Sequence, residues 1–184
     1  VLSDAKSRFS AGSDPVYALG LSNGAVMAYL FACRATDQVK SVLTVAGELG
    51  SAALDSCAPS RAVGTVIVHG SADTLTPYYG ISLVYPPVPT IHAAFKQFNG
   101  CTGTDSQVTL PNIADPLTVV IDSTRPCASG RRDFLVTVNG GGHNWPGGSA
   151  EDSTLSTIGL LGAHTRNFDA TLQGFDLLQA AAGD

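Results

Sequence analysis

The sequence predicts an α/β fold built on a mostly parallel sheet flanked by helices, and three observations carry that prediction. Short apolar runs with little polar alternation recur along the chain, at residues 16–19, 41–45 and 65–69, as strands buried on both faces of a parallel sheet require. Helix-compatible stretches alternate with those runs. Glycine, proline and asparagine gather between them, where the chain has to turn.

Taken in order, residues 2–9 read as a short helix, and Gly12-Ser13-Asp14-Pro15 is the turn that hands the chain to a strand at 16–19. A helix over 25–34 leads to a strand at 42–45, a loop carrying Cys57, and a strand at 65–69. A helix at 91–98, a strand at 134–138 and a closing helix at 170–181 complete the alternation. Residues 108–122 read as an irregular or hairpin insertion bracketed by Cys101 and Cys127. No internal repeat or linker breaks the pattern, so residues 1–184 read as a single domain.

Composition narrows the partners. Charged residues make up 14% of the chain against the roughly 25% usual in soluble domains, and the net charge of -5 offers nothing to a phosphate backbone, so nucleic acid is not expected. The longest apolar run, 25–33, is half of the 18 or so residues a membrane span requires. Four cysteines, Cys33, Cys57, Cys101 and Cys127, include no C-x-x-C pair and no histidine at zinc spacing, so no metal is expected. They allow three disulfide pairings. The local one closes two loops of about 25 residues, each worth about 3 kcal/mol. An even cysteine count with low charge fits a secreted protein, the alternative being four reduced cysteines in a cytosolic enzyme. The chain opens on Val1 without a signal peptide, which suggests that upstream residues were removed or not included.

The chemistry centres on Gly20-Leu21-Ser22-Asn23-Gly24, a G-x-S-x-G between a strand and a helix. Glycines let the backbone turn sharply there, so the serine hydroxyl points off the sheet above the positive end of the next helix. A serine hydroxyl is a weak nucleophile until a base takes its proton, and the base needs an acid to hold its tautomer. Of four histidines, His92 falls in a helix, His164 in a polar segment, and His69 at a strand end beside Gly70. His143 sits in the flexible Gly140-Gly141-Gly142-His143-Asn144-Trp145-Pro146-Gly147-Gly148, just past a strand, and is the candidate base. Asp73, in His69-Gly70-Ser71-Ala72-Asp73 at another strand's carboxyl end, is the candidate acid, with Asp122, Asp133 and Asp152 as competitors. The order Ser22, Asp73, His143 is that of α/β-hydrolases.

Three blocks, residues 17–24, residues 69–73 with Pro77-Tyr78, and Gly141 to Gly148, look like the signature blocks of the extracellular polyhydroxybutyrate depolymerase and feruloyl esterase group, carbohydrate esterase family 1-like members of the α/β-hydrolase superfamily. The resemblance runs from about residue 16 to the last helix. It implies Ser22 as nucleophile, His143 as base, Asp73 as orienting acid, pairing of Cys101 with Cys127, less firmly of Cys33 with Cys57, and no cofactor. On that mechanism the backbone N–H of Asn23 is one oxyanion donor, and Trp145 and Tyr78 are candidate walls for a small or polymeric ester.

One feature departs from the family. The second oxyanion donor normally comes from a loop well before the nucleophile, yet only residues 1–21 precede Ser22. The first strands of the sheet are therefore expected to be absent, leaving strand 16–19 as an apolar edge to be covered by a missing N-terminal segment or by an oligomer partner. The isolated chain is expected to be at best weakly active. Two other readings use the same residues: a non-catalytic remnant that binds a polymer or partner chain, and a peptidase or thioesterase with the same triad.

Overall fold

A computed structural model describes residues 2–12, 14–148 and 160–183. Six strands form one sheet in the order β1-β2-β3-β6-β5-β4. Four of them, β1 (Tyr17–Leu21), β2 (Ser41–Val45), β3 (Gly64–Gly70) and β6 (Asp133–Asn139), run parallel. The other two, β4 (Asp105–Thr109) and β5 (Thr118–Thr124), pair antiparallel with each other, and β5 pairs antiparallel with β6. The fold is α/β, as the alternation of apolar runs and helices requires.

Helices α1 (Leu2–Arg8), α2 (Asn23–Arg34), α3 (Ser51–Asp55), α4 (Val88–Phe98) and α5 (Leu172–Ala182) flank it. Every residue of β2 and β3 is buried, because apolar layers cover both faces. On one face Tyr29 of α2 and Ile91 and Phe95 of α4 pack on Val42 and Ile67; on the other, Phe168 and Leu178 pack on Leu43, Val66 and Val68. Alternate strand residues therefore feed two separate cores.

Segment 108–122 takes the hairpin form rather than the irregular one, and it belongs to the sheet itself. It carries most of a hairpin that forms the far side of the sheet, its polar, exposed β4 serving as the edge. Apolar periodicity missed β4 because an edge strand facing water on both sides has no apolar pattern to show. Strand β1 ends at Leu21, beyond the predicted 16–19, since pairing with β2 continues through Gly20 and Leu21 up to the nucleophile turn.

Among the described residues β1 pairs only with β2, so it is an edge, and Leu19 there is 52% exposed. The two disulfides are Cys33–Cys57, which fastens the end of α2 to the loop after α3, and Cys101–Cys127, which ties the loop after α4 to the turn before β6.

Candidate active site

Three parallel strands deliver three turns to one edge. β1 ends in the Ser22 turn, β3 in the turn leading to Asp73, and β6 in the glycine loop of His143. β3 and β6 are neighbours, about 4.8 Å apart, so the turns of Asp73 and His143 are within side-chain reach of each other, while β2 stands between β3 and β1, the strand that leads to Ser22.

Ser22 occupies a strained backbone position, φ 56° and ψ -118°, in the left-handed half of the map that a side chain rarely enters. Gly20 explains why the turn can be so tight: a β-carbon there would stand 2.3 Å from the carbonyl carbon of Gly24. The Ser22 N–H still donates to Val45 O at 2.9 Å, and its carbonyl accepts from Ala25 and Val26 to start α2. Asn23 and Gly24 open that helix, so their N–H groups have no acceptor within it and face the serine side with the positive end of the dipole. Among the described residues the Ser22 hydroxyl makes no hydrogen bond.

Asp73 is fully enclosed and saturated with donors. Its Oδ1 accepts from the N–H groups of Leu75 (2.8 Å) and Thr76 (2.9 Å), and its Oδ2 from the Thr76 hydroxyl (2.9 Å) and His143 Nδ1 (2.8 Å). Burial alone would raise its pKa, but the bonds from His143, His69 and Thr76 outweigh burial and hold it well below the usual carboxylate range. An ionised carboxylate only accepts, so the neutral His143 ring carries its proton on Nδ1 and presents Nε2 as the free base.

The two loops that make this pair lock together. A β-carbon on Gly70 would meet the Gly141 carbonyl oxygen at 2.3 Å; Ala72 N donates to that oxygen at 2.9 Å, and the Ser71 hydroxyl accepts from Gly140 N at 2.8 Å. Asn144 clamps the loop from behind, its side chain donating to the carbonyl of Leu161 at 2.8 Å.

The remaining expected residues lie nearby with other partners. Tyr78 is buried, its hydroxyl 3.0 Å from that of Thr137. Trp145 packs on the α5-side core and its indole N–H donates to the Thr171 hydroxyl at 3.0 Å. Of the competing acids, Asp133 sits at the start of β6, held by Asn99 at the opposite sheet edge, and burial pushes it up to about 7. Asp122 accepts from Gln107 on the hairpin, and Asp152 lies outside the described residues. His92 is buried on α4, and burial pushes it down to about 4.

Sequence reasoning missed three site residues. Thr76 touches Asp73, His143 Nδ1 (3.2 Å) and His69 Nε2 (3.4 Å) with one hydroxyl; the signal was the spacing Asp-x-x-Thr, which favours a side-chain-capped turn. His69, set aside as a strand end, lies 3.4 Å from Asp73 Oδ2. Glu48 is completely buried behind both.

No protein-family profile matches the sequence. Curated relatives do exist. The chain is 34% identical over 170 residues to "Putative esterase NocK" of Nocardia uniformis subsp. tsuyamanensis, an alignment covering 78% of this chain and 48% of that protein. It is 28% identical over 138 residues to "Feruloyl esterase B" of Piromyces equi, covering 70% of this chain and 24% of that one. The chain is a relative of esterases. It spans about half the length of the first of these esterases and about a quarter of the second. Neither bears the name of a polyhydroxybutyrate depolymerase, so the esterase side of the sequence resemblance is the side these relatives support.

Proposed function

We propose that this esterase relative is a serine ester hydrolase in which Ser22, His143 and Asp73 form the catalytic triad. The observation that carries the reading is the 2.8 Å bond from His143 Nδ1 to a buried, ionised Asp73, at the sheet edge that also carries a serine in a strained strand-to-helix turn.

The chemistry follows from those positions. Ser22 Oγ attacks the ester carbonyl carbon while its proton passes to His143 Nε2, and Asp73 stabilises the imidazolium. The oxyanion takes the free N–H of Asn23 at the α2 terminus, a type of contact worth about 3 kcal/mol in the transition state. The tetrahedral intermediate collapses, the alcohol leaves with the proton from His143, and water repeats the sequence on the acyl-enzyme. No step requires a cofactor. Substrates are esters of short acyl, hydroxyalkanoate or feruloyl groups. The exposed Leu21 and Leu75, chain neighbours of Ser22 and Thr76, supply apolar surface beside the reacting groups. The paired disulfides suit an oxidising compartment outside the cytoplasm.

A second reading has its own observation. The open β1 edge with exposed Leu19 and Leu21 suits pairing with a further strand of a longer chain or a partner, in which case this segment binds and is catalytically weak alone. Hydrolysis of a short-chain nitrophenyl ester decides: turnover that vanishes in Ser22→Ala supports the hydrolase, and turnover unchanged in that variant removes Ser22 from the mechanism.

A further inference from the structure

On the α2 and α4 face, both carboxyl oxygens of Glu48, Nδ1 of His69 and, on α4 itself, Nε2 of His92 are buried with no hydrogen-bond partner among the described residues, and the Tyr29 hydroxyl lies beside Thr44. Strand parity puts His69 on the same face as Ile67, in the core with Tyr29, Leu49 and Tyr78, while Val66 and Val68 turn the other way. Glu48 follows β2 directly before Leu49 of that same core, and is 1% exposed. The charges of His69 and Asp73 are felt at Glu48, opposing and assisting its burial respectively.

A carboxyl stripped of water and given no donor is costly as an anion, so it keeps its proton. Burial, with His69 opposing and the Asp73 charge assisting, pushes the Glu48 carboxyl up to about 7. His69 offers the complementary group. Its Nε2 lies 2.7 Å from the Thr76 carbonyl oxygen and 3.4 Å from Asp73 Oδ2, both acceptors, so the neutral ring carries its proton there and leaves a lone pair on Nδ1. A buried acid lacking an acceptor and a buried acceptor lacking a donor thus share one face of the sheet.

We propose that Glu48 and His69 hold one proton between them across one ordered water, and act as a positioning pair that steadies Asp73 through a second imidazole. The positioning role rests on reading Asp73 as the orienting acid of the hydrolase. Transfer of the proton from Glu48 Oε to His69 Nδ1 gives a carboxylate and an imidazolium with no change in net charge, so Nε2–H faces Asp73 in either form. Facing the pair are Tyr29 from α2 and Asp73 from the turn after β3, with Thr76 and His143 behind Asp73. Loss of the shared proton as pH rises adds a second negative charge beside Asp73.

The test is long-range nitrogen–proton correlation of histidine-labelled protein from pH 5 to 9, on the whole chain and on Glu48→Gln, with thermal unfolding as the folding control. The expected result is His69 protonated on Nε2, with Nδ1 hydrogen-bonded and its signal reporting the titration of Glu48 near pH 7 in wild type; that step disappears in E48Q while the His143 bond to Asp73 persists. The pH profile of kcat/KM loses the same step, with less than a tenfold change on its plateau. A neutral His69 protonated on Nδ1, or a step that survives in E48Q, overturns the pair. Should E48Q not fold, carboxyl carbon titration of Glu48 in wild type decides: a midpoint near 7 supports the proposal and one near 4 overturns it. These spectra are read whether or not the chain cleaves an ester, so an inert Ser22 would retire the hydrolase reading and leave the proton pair standing.

Discussion

His143 Nδ1 and Asp73 Oδ2 stand 2.8 Å apart across 70 residues of chain, and that bond fixes which imidazole nitrogen is free to act as a base. Asp73→Asn keeps the shape but presents an amide, which favours the wrong tautomer of His143. The expected outcome is a loss of about 10⁴-fold in kcat with the fold retained, read from steady-state kinetics beside a circular dichroism spectrum. A loss under tenfold would place the orienting charge elsewhere.

Thr76 is the hinge of the acid's setting, because its hydroxyl donates to Asp73 Oδ2 and touches His143 Nδ1. Thr76→Val is nearly isosteric and removes that donor alone. A fall of about tenfold in kcat with KM little changed is expected, since one hydrogen bond to a charged group is worth about 1.5 kcal/mol. An effect confined to KM would mean that Thr76 serves substrate rather than Asp73.

The two glycines of the serine motif should behave in opposite ways. A β-carbon on Gly20 runs into the Gly24 backbone, whereas one on Gly24 meets nothing within 4 Å. Gly20→Ala is expected to cost about 2 kcal/mol or more and displace Ser22, while Gly24→Ala, in the first turn of α2, is neutral or stabilising by up to about 1 kcal/mol. Denaturant melts of both variants check the contrast.

Glu48 gives stability an unusual pH dependence. Its folded pKa, about 7, lies above the ordinary carboxyl value, so the fold prefers the protonated form. The cost is absent below about pH 4, grows as pH rises toward 7, and is complete above it. Glu48→Gln is therefore expected to raise Tm at pH 8 by about 3–6 °C, a gain of about 1–2 kcal/mol, and to change it little at pH 4. Calorimetry at the two pH values reads the difference; a gain equal at both would show that the carboxyl is not held protonated.

The parts of the fold legible in the sequence were those where burial leaves a pattern. β2 and β3, covered on both faces, announce themselves as unbroken apolar runs, and the helices between them as the alternative period. β4 does not, because its five residues are all exposed. At the candidate site, the contact between Asp73 and His143 was legible because each follows a strand and carries glycine where the loops touch. Glu48 and His69 were not, since what distinguishes them is a lack of partners inside the folded core, and that has no counterpart along the chain.

Catalysis by this chain requires Ser22 to be a nucleophile activated by His143. Mass-spectrometric mapping of a fluorophosphonate adduct on the folded chain measures this directly: the adduct is expected on Ser22 in the wild type and lost in His143→Gln. A folded sample that takes up no label, or takes it on another serine, contradicts the account.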